Sequence, residues 1–246
     1  MPLLTPHSVT NYVEDHIGEF HARRLQSLRR LKLKHILKRK NPYLFKAKNI
    51  LTGADLVRTL LDAHLSSQEE AIFGEFLEGL AIFICGEVFG GRKSSTEGID
   101  LEFDRAGVHY IVSVKSGPNW GNSRQISKMR EDFRKALRIL GTSGHRHNTV
   151  AVNGCCYGQE SKSDRGDYLK LCGQEFWEFV SGDAGLYTTL IEPLGYQAKD
   201  RNDEFAHAYA QIANAFTIEF ANEFFTADND IDWQRLVEFN SGSRTT

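Results

Sequence analysis

Apolar residues recur at helical spacing early in the chain. Leu25, Leu28, Leu31, Leu33 and Leu37, with Ile36, form a rough stripe, and basic side chains fill the other faces. The stretch from Ser8 onward therefore reads as one long helix or two consecutive ones, ended by Asn41-Pro42, because the residue before a proline is pushed out of the helical region. The segment LTGADLVRTLLDAHLSS (residues 51–67) is a second helical piece with Thr52 as its N-cap. Ser67 followed three residues later by Glu70 fits a capping box for another helix, running to about Cys85. That helix is apolar on most sides and should be buried. Glu75 and Glu78, three apart on one face, are its exceptions.

The period then changes. GIDLEF (residues 98–103) and HYIVSVK (residues 109–115) read as strands joined by the short turn DRAG, which carries Gly107. SRQISKMREDFRKALRILG (residues 123–141) is an amphipathic helix stopped by Gly141. NTVAVNGCCYG (residues 148–158) is a buried β run. The order is helix, strand, strand, helix, strand. After Tyr157 the chain reads as helical again, in GQEFWEFVSG, DEFAHAYAQIANAFTIEFANEFF and DWQRLVEF, before a tail NSGSRTT expected to fray. These elements divide the chain into a basic helical N-terminal part (residues 1–65), an α/β core (66–158) and a helical C-terminal part (159–246), expected to pack as one compact unit.

Composition narrows the class. At 246 residues, 41% of them hydrophobic, the chain can bury one sizeable core. It holds no apolar run of about 18 residues, so no membrane span is expected. Its first residues show no basic start followed by an apolar stretch, so no secretory signal is expected. Cys85, Cys155, Cys156 and Cys172 fit a reduced, cytoplasmic protein. The spacing of the last three does not pair two close cysteine couples, so buried structural thiols are favoured over zinc. His145 and His147 read as part of a helix-to-strand loop.

The net charge of −2 is uninformative, but its distribution is not. Residues 20–54 contain eleven Lys or Arg and no Asp or Glu. A one-sign block in a near-neutral protein suits a polyanion, against the plainer reading of a solvated helix face. Arg23, Arg24, Arg29, Arg30, Lys32, Lys34, Lys38, Arg39 and Lys40 are the candidate phosphate contacts. They occupy several faces of a helix, so only a subset can meet one duplex.

Candidate chemistry sits in the hairpin. Alternation puts Ser113 and Lys115 on one strand face, and Asp100 and Glu102 on one face of the other strand. Pairing around DRAG lets a carboxylate and an ammonium converge at one end of the sheet. The helix bearing Glu75 and Glu78 can add a carboxylate from the side. Such parts suit phosphodiester hydrolysis, since Mg²⁺ keeps several waters and needs only one or two protein carboxylates. A lysine beside it can stabilise charge on the phosphate and orient the attacking water. The competing reading is an exposed salt bridge, and the apolar, central character of these strands weighs against it.

The arrangement resembles the PD-(D/E)xK nuclease superfamily. Asp100 matches the aspartate of that pattern, and Ser113-Val114-Lys115 occupies the acid-x-Lys position, with Ile99 where proline often stands. The resemblance implies Asp100 as main metal ligand, Lys115 as charge stabiliser, and Val114 among the metal-site residues. Some restriction endonucleases of the superfamily also carry Ser-x-Lys and recover the lost acid from the following helix. Glu131 is the matching candidate here, with Glu78 and Glu102 as competitors. HIGEFH, KNPYLFKAKNI, FLEGLAIFICGEVFGG, EGIDLEF, SVKSGPNWGNS and VAVNGCCYG, in that order, resemble PmeII-like type II restriction endonucleases.

That resemblance implies a restriction-endonuclease-like α/β fold, with a central mixed sheet flanked by helices and helical terminal parts. It also implies cleavage of double-stranded DNA with Mg²⁺ (Mn²⁺ as a substitute), by a homodimer on a symmetric site. A cognate DNA methyltransferase is then expected as a genetic partner. The loop after Lys115 could be an ordinary turn. It could equally contact DNA through Asn119, Asn122, Ser123 and Gln125, with Trp120 as a packing anchor. Rival readings are a structure-selective or repair nuclease on the same core, a DNA-binding protein with a dead site, and a partner-binding domain without nuclease activity.

Overall fold

The computed structural model describes residues 5–142 and 148–243; His145, His147 and the last three residues lie outside them. Two compact units form. One comprises Met1–Gly18 with Phe73–Tyr196, the other Glu19–Ile72 with Gln197–Thr246. Two helices, α1 (Pro6–Arg29) and α4 (Gly53–Phe89), contribute residues to both.

The first unit holds a five-stranded mixed sheet in the order β1 (Arg92–Lys93), β2 (Leu101–Arg105), β3 (Val108–Lys115), β4 (Thr149–Cys155), β5 (Leu169–Cys172). β1 and β3 run antiparallel to β2, whereas β3, β4 and β5 are mutually parallel. The β2–β3 hairpin closes through Ala106 and Gly107, both with positive φ (51° and 76°), the two-residue turn whose twist matches paired strands. That turn fixes the register Leu101↔Val112, so alternation assigns each side chain its face.

One sheet face presents Ile99, Ile111 and Ala151 to Met129, Phe133 and Ala136 of α5 (Ser123–Thr142). The opposite face stacks Phe103 on Phe89 of α4, on Tyr110, and edge-on against Phe179 of α6 (Gln174–Ser181). Gly154 admits the Phe176 ring, which an added Cβ would meet at 2.2 Å. The short helices α7 (Leu186–Thr189) and α8 (Ile191–Leu194) complete this unit.

The second unit is helical. Leu56, Leu60 and Leu61 of α4 pack with Leu33 and Ile36 of α2 (Leu33–Leu37) and Phe45 of α3 (Pro42–Ala47). The same cluster takes in Phe216 and Phe220 of α9 (Ala198–Phe224) and Leu236 of α10 (Trp233–Ser241).

Three expectations need correction. The basic segment does form two consecutive helices, α1 ending at Arg29 and α2 at Leu37, but not the terminator expected of them. Asn41-Pro42 then starts α3 rather than terminating a helix, with Asn41 Oδ1 accepting from the Tyr43 and Leu44 amides and Pro42 in the first turn. The capping box at Ser67 does not form. α4 continues through it, because residues 54–73 contain neither Gly nor Pro, and Ser67 Oγ bonds the Ala63 carbonyl instead. Thr52 does cap α4, reciprocally with Asp55. Finally, β5 lies in a region read as purely helical.

Candidate active site

The site lies where the carboxyl end of β3 meets the start of β2. Asp100 Oδ2 accepts from the Val114 amide at 2.7 Å and from Ser113 Oγ at 3.4 Å, and lies 3.5 Å from Lys115 Nζ. Lys115 Nζ also donates to the Val114 carbonyl at 2.8 Å and sits 5.4 Å from the centre of the Trp120 ring. The hairpin thus brings the aspartate and the lysine together, and Val114 uses both its main-chain groups to hold them.

α4 adds the second acid. Glu78 is half-buried, and burial raises its carboxyl above the usual glutamate range. The charge of Asp100 pushes the same way, while Lys93, 3.5 Å from Glu78 Oε1, and Lys115 oppose it. One turn earlier, Gly74 lies against Ser116, the residue after the lysine. The buried Cys156 thiol is raised by burial and then by the Glu78 charge, so it too borders this cluster.

The other candidate acids have different environments. Glu102 is held by Arg92 (2.8 Å) and Ser94 (3.4 Å). Glu75 is exposed on α4. The Glu131 side chain is 58% exposed and pairs with Lys135 at 3.0 Å, which lowers its carboxyl. The acid of α5 that turns inward is its neighbour Asp132, 9% exposed and bonded to Lys128 at 2.6 Å. Asp132 packs so closely on Gly98 (φ 78°) that a Cβ there would meet its carboxylate. With Ser113, Lys115 and Trp120 it lines a cavity of about 400 Å³. The sequence does carry a signal for it: Met129, Asp132, Phe133 and Ala136 share the inward stripe at helical spacing.

In the loop after Lys115, Asn122 and Gln125 build the cap of α5. Asn122 Oδ1 accepts from the Arg124 and Gln125 amides, and Gln125 Oε1 accepts from the Asn122 amide. Asn119 and Ser123 are exposed. Lys170 Nζ reaches the Pro118 carbonyl (3.0 Å) and Glu160 (3.1 Å), tying the β4–β5 connection to this loop.

The basic block divides sharply within the second unit. Arg24 is ion-paired with Glu69 and lies 3.5 Å over the Phe205 ring. Arg29 pairs with Glu204 (3.5 Å), Lys34 with Glu223 (2.6 Å), Lys40 bonds the Ala63 carbonyl and Lys38 lies over Phe239. Arg23, Arg30, Lys32 and Arg39 line a cavity of about 400 Å³ with His35 and His64. Burial lowers the His64 imidazole, and so do the charges of Lys40 and Arg39.

All four cysteines are free and buried, and burial pushes Cys85 up to about 12. Among the described residues no group of three or more His, Cys, Asp or Glu could hold a metal ion. A two-carboxylate site with coordinated water is compatible with that count.

An acid–lysine pair at the carboxyl end of a central strand in a helix-flanked mixed sheet is an arrangement suited to nuclease chemistry. Residues 7–202 match the family model described as type II restriction endonuclease EcoO109I. That match spans most of the chain, which belongs to this family of restriction endonucleases. No curated protein matches it.

Proposed function

We propose that this chain is a sequence-specific type II endonuclease that hydrolyses phosphodiesters of double-stranded DNA with Mg²⁺, or Mn²⁺ in its place. The carrying observation is the convergence of Glu78, Asp100 and Lys115 at one strand end. Glu78 and Asp100 are like charges in a half-buried place, and the Glu78 carboxyl is raised first by burial and then by their mutual repulsion. A divalent cation would relieve it, so the residues present fit such an ion, with Asp100 and Glu78 as its carboxylates. When bound, the ion supplies Lewis-acid polarisation of the phosphate and a more acidic water.

Lys115 places an ammonium beside Asp100, where it stabilises charge on the phosphate and orients water. Val114 holds Asp100 through its amide and Lys115 through its carbonyl. Ser113, in the Ser-x-Lys position, hydrogen-bonds Asp100 in place of supplying a carboxylate. Glu78 makes up that deficit in preference to Glu131, because Glu78 feels Asp100 and Lys115 while Glu131 is committed to Lys135. Arg23, Arg30, Lys32 and Arg39 contact phosphates. Asn119 and Ser123 are among the exposed loop groups available to DNA.

A homodimer on a symmetric site, a cognate methyltransferase and a cytoplasmic location belong to the same proposal. No helix among the described residues is long and apolar enough to cross a membrane. The test is digestion of a sequenced plasmid with Mg²⁺ and with a chelator, followed by mapping of the ends. Discrete fragments in Mg²⁺ alone support the proposal. Cuts that follow branch or mismatch positions identify a structure-selective nuclease, and intact plasmid in both arms identifies a dead site.

A further inference from the structure

β4 is buried, yet it carries a full amide at Asn153, which is 1% exposed. A buried amide is costly unless its hydrogen bonds are made, and a branched aliphatic residue would suit this strand better. Both halves of the amide are used. Asn153 Nδ2 donates to the Ser113 carbonyl at 3.2 Å, and Oδ1 accepts from the indole Nε1 of Trp120 at 3.2 Å. The partners fix its orientation, because a carbonyl only accepts and an indole N–H only donates. Asn153 is also the registered neighbour of Ser113 across the β3–β4 pair. One amide therefore joins the strand carrying Lys115 to the loop that follows it.

Trp120 is the link to the chemistry. Its ring centre lies 5.4 Å from Lys115 Nζ, within the range at which an aromatic face attracts an ammonium. The indole also packs on the cluster formed by Ile111, Met129 and Phe133, so its plane is set by apolar contact on one side and by Asn153 at the N–H. Lys115 has few other restraints: Asp100 at 3.5 Å and the Val114 carbonyl at 2.8 Å.

We propose that Asn153 is a positioning residue for Lys115, acting through the Trp120 indole. The inference rests on the reading of Lys115 as catalytic. Asn153 holds the indole, and the indole holds the ammonium over the site. Trp120 thereby has a role other than DNA contact or simple packing.

The test compares Asn153→Ala, Trp120→Phe, the double variant and Lys115→Ala in the full chain. Three quantities are read: the single-turnover cleavage rate in Mg²⁺, the duplex affinity without divalent cation, and the Trp120 emission, taken as the difference from the Trp120→Phe protein. The proposal expects each single variant to lose about tenfold or more in rate, as small misplacements of catalytic groups do. Affinity should be unchanged, and the double variant should be no slower than the slower single, because the two residues act in series. The Trp120 emission should move to longer wavelength in Asn153→Ala as water replaces the buried amide at the indole N–H.

Wild-type rate in either folded single variant, losses that multiply in the double, or a loss confined to affinity would each overturn it. If Asn153→Ala does not fold, the rate of Trp120→Phe decides alone. A dead Lys115→Ala enzyme beside fully active Asn153 and Trp120 variants removes this inference and leaves the catalytic reading. A Lys115→Ala enzyme that still cuts removes both.

Discussion

Lys115 Nζ lies 3.5 Å from Asp100 Oδ2 while donating to the carbonyl of Val114, whose amide donates to that same aspartate oxygen. The two side chains are held by one peptide segment, so their separation is set by the hairpin register rather than by long flexible stems. Lys115→Ala should keep the fold and lower the cleavage rate by about 10²-fold or more, the scale for removing one preorganised group that stabilises transition-state charge. Thermal unfolding and single-turnover cleavage of the same preparation check it. A folded variant cutting at the wild-type rate removes Lys115 from the chemistry.

The acids on α5 separate two accounts of the Ser113 position. Glu131→Gln should cut near the wild-type rate, since Glu131 is exposed and paired with Lys135. Asp132→Asn should be felt, because it leaves Lys128 without its charge partner in the cavity shared with Ser113 and Lys115. Measuring both rates at one Mg²⁺ concentration decides it. Strong loss in Glu131→Gln with none in Asp132→Asn would favour Glu131, the acid that the family resemblance implies.

Most of the core was legible in the sequence. The switch from a period of 3.6 to a period of 2 located β2 and β3, and Gly107 marked their turn. β5 was not legible: four residues, LKLC, follow a polar loop and offer too short a run to alternate. β1 is two exposed basic residues with no pattern at all. Asp132 was hidden inside MREDFRK, where a charge run suggests a wet face. Its inward direction depends on counting from Met129 and Phe133. The mismatch of Asn153 with its apolar run was visible, but its partner Trp120 is 33 residues away and only the fold joins them.

DNA affinity should depend on salt through a subset of the basic block. Arg30→Gln, Lys32→Gln and Arg39→Gln should each flatten the slope of log affinity against log salt by about 0.9 per lost phosphate contact. They should weaken all duplexes alike. Arg24→Gln should instead lower the unfolding temperature, since its guanidinium is ion-paired to Glu69 and stacked on Phe205. Titration of specific and nonspecific duplexes across salt checks this. Unchanged slopes for the first three would place the DNA footprint elsewhere.

The Glu160 carboxyl is lowered to about 2 from an ordinary 4.5, first by the hydrogen bond from Lys170, then by the Lys162 amide and Arg165. A depressed acid contributes stability that is full above its unfolded value and is lost as pH falls toward its folded one. The unfolding-temperature gap between wild type and Glu160→Gln should therefore be widest above about pH 5 and shrink toward about pH 2. A gap independent of pH would mean that the Lys170 anchor does not depend on this charge.

The most direct measurement is the Mg²⁺ dependence of single-turnover cleavage at the mapped site for wild type, Asp100→Asn and Glu78→Gln. Asparagine and glutamine keep size and hydrogen bonding while removing the charge that would hold the cation. Loss of cleavage in both folded variants, with any residual rate saturating only at higher Mg²⁺, is the predicted result. Wild-type rate at the same Mg²⁺ midpoint in both would contradict the shared-cation site at the carboxyl end of β3.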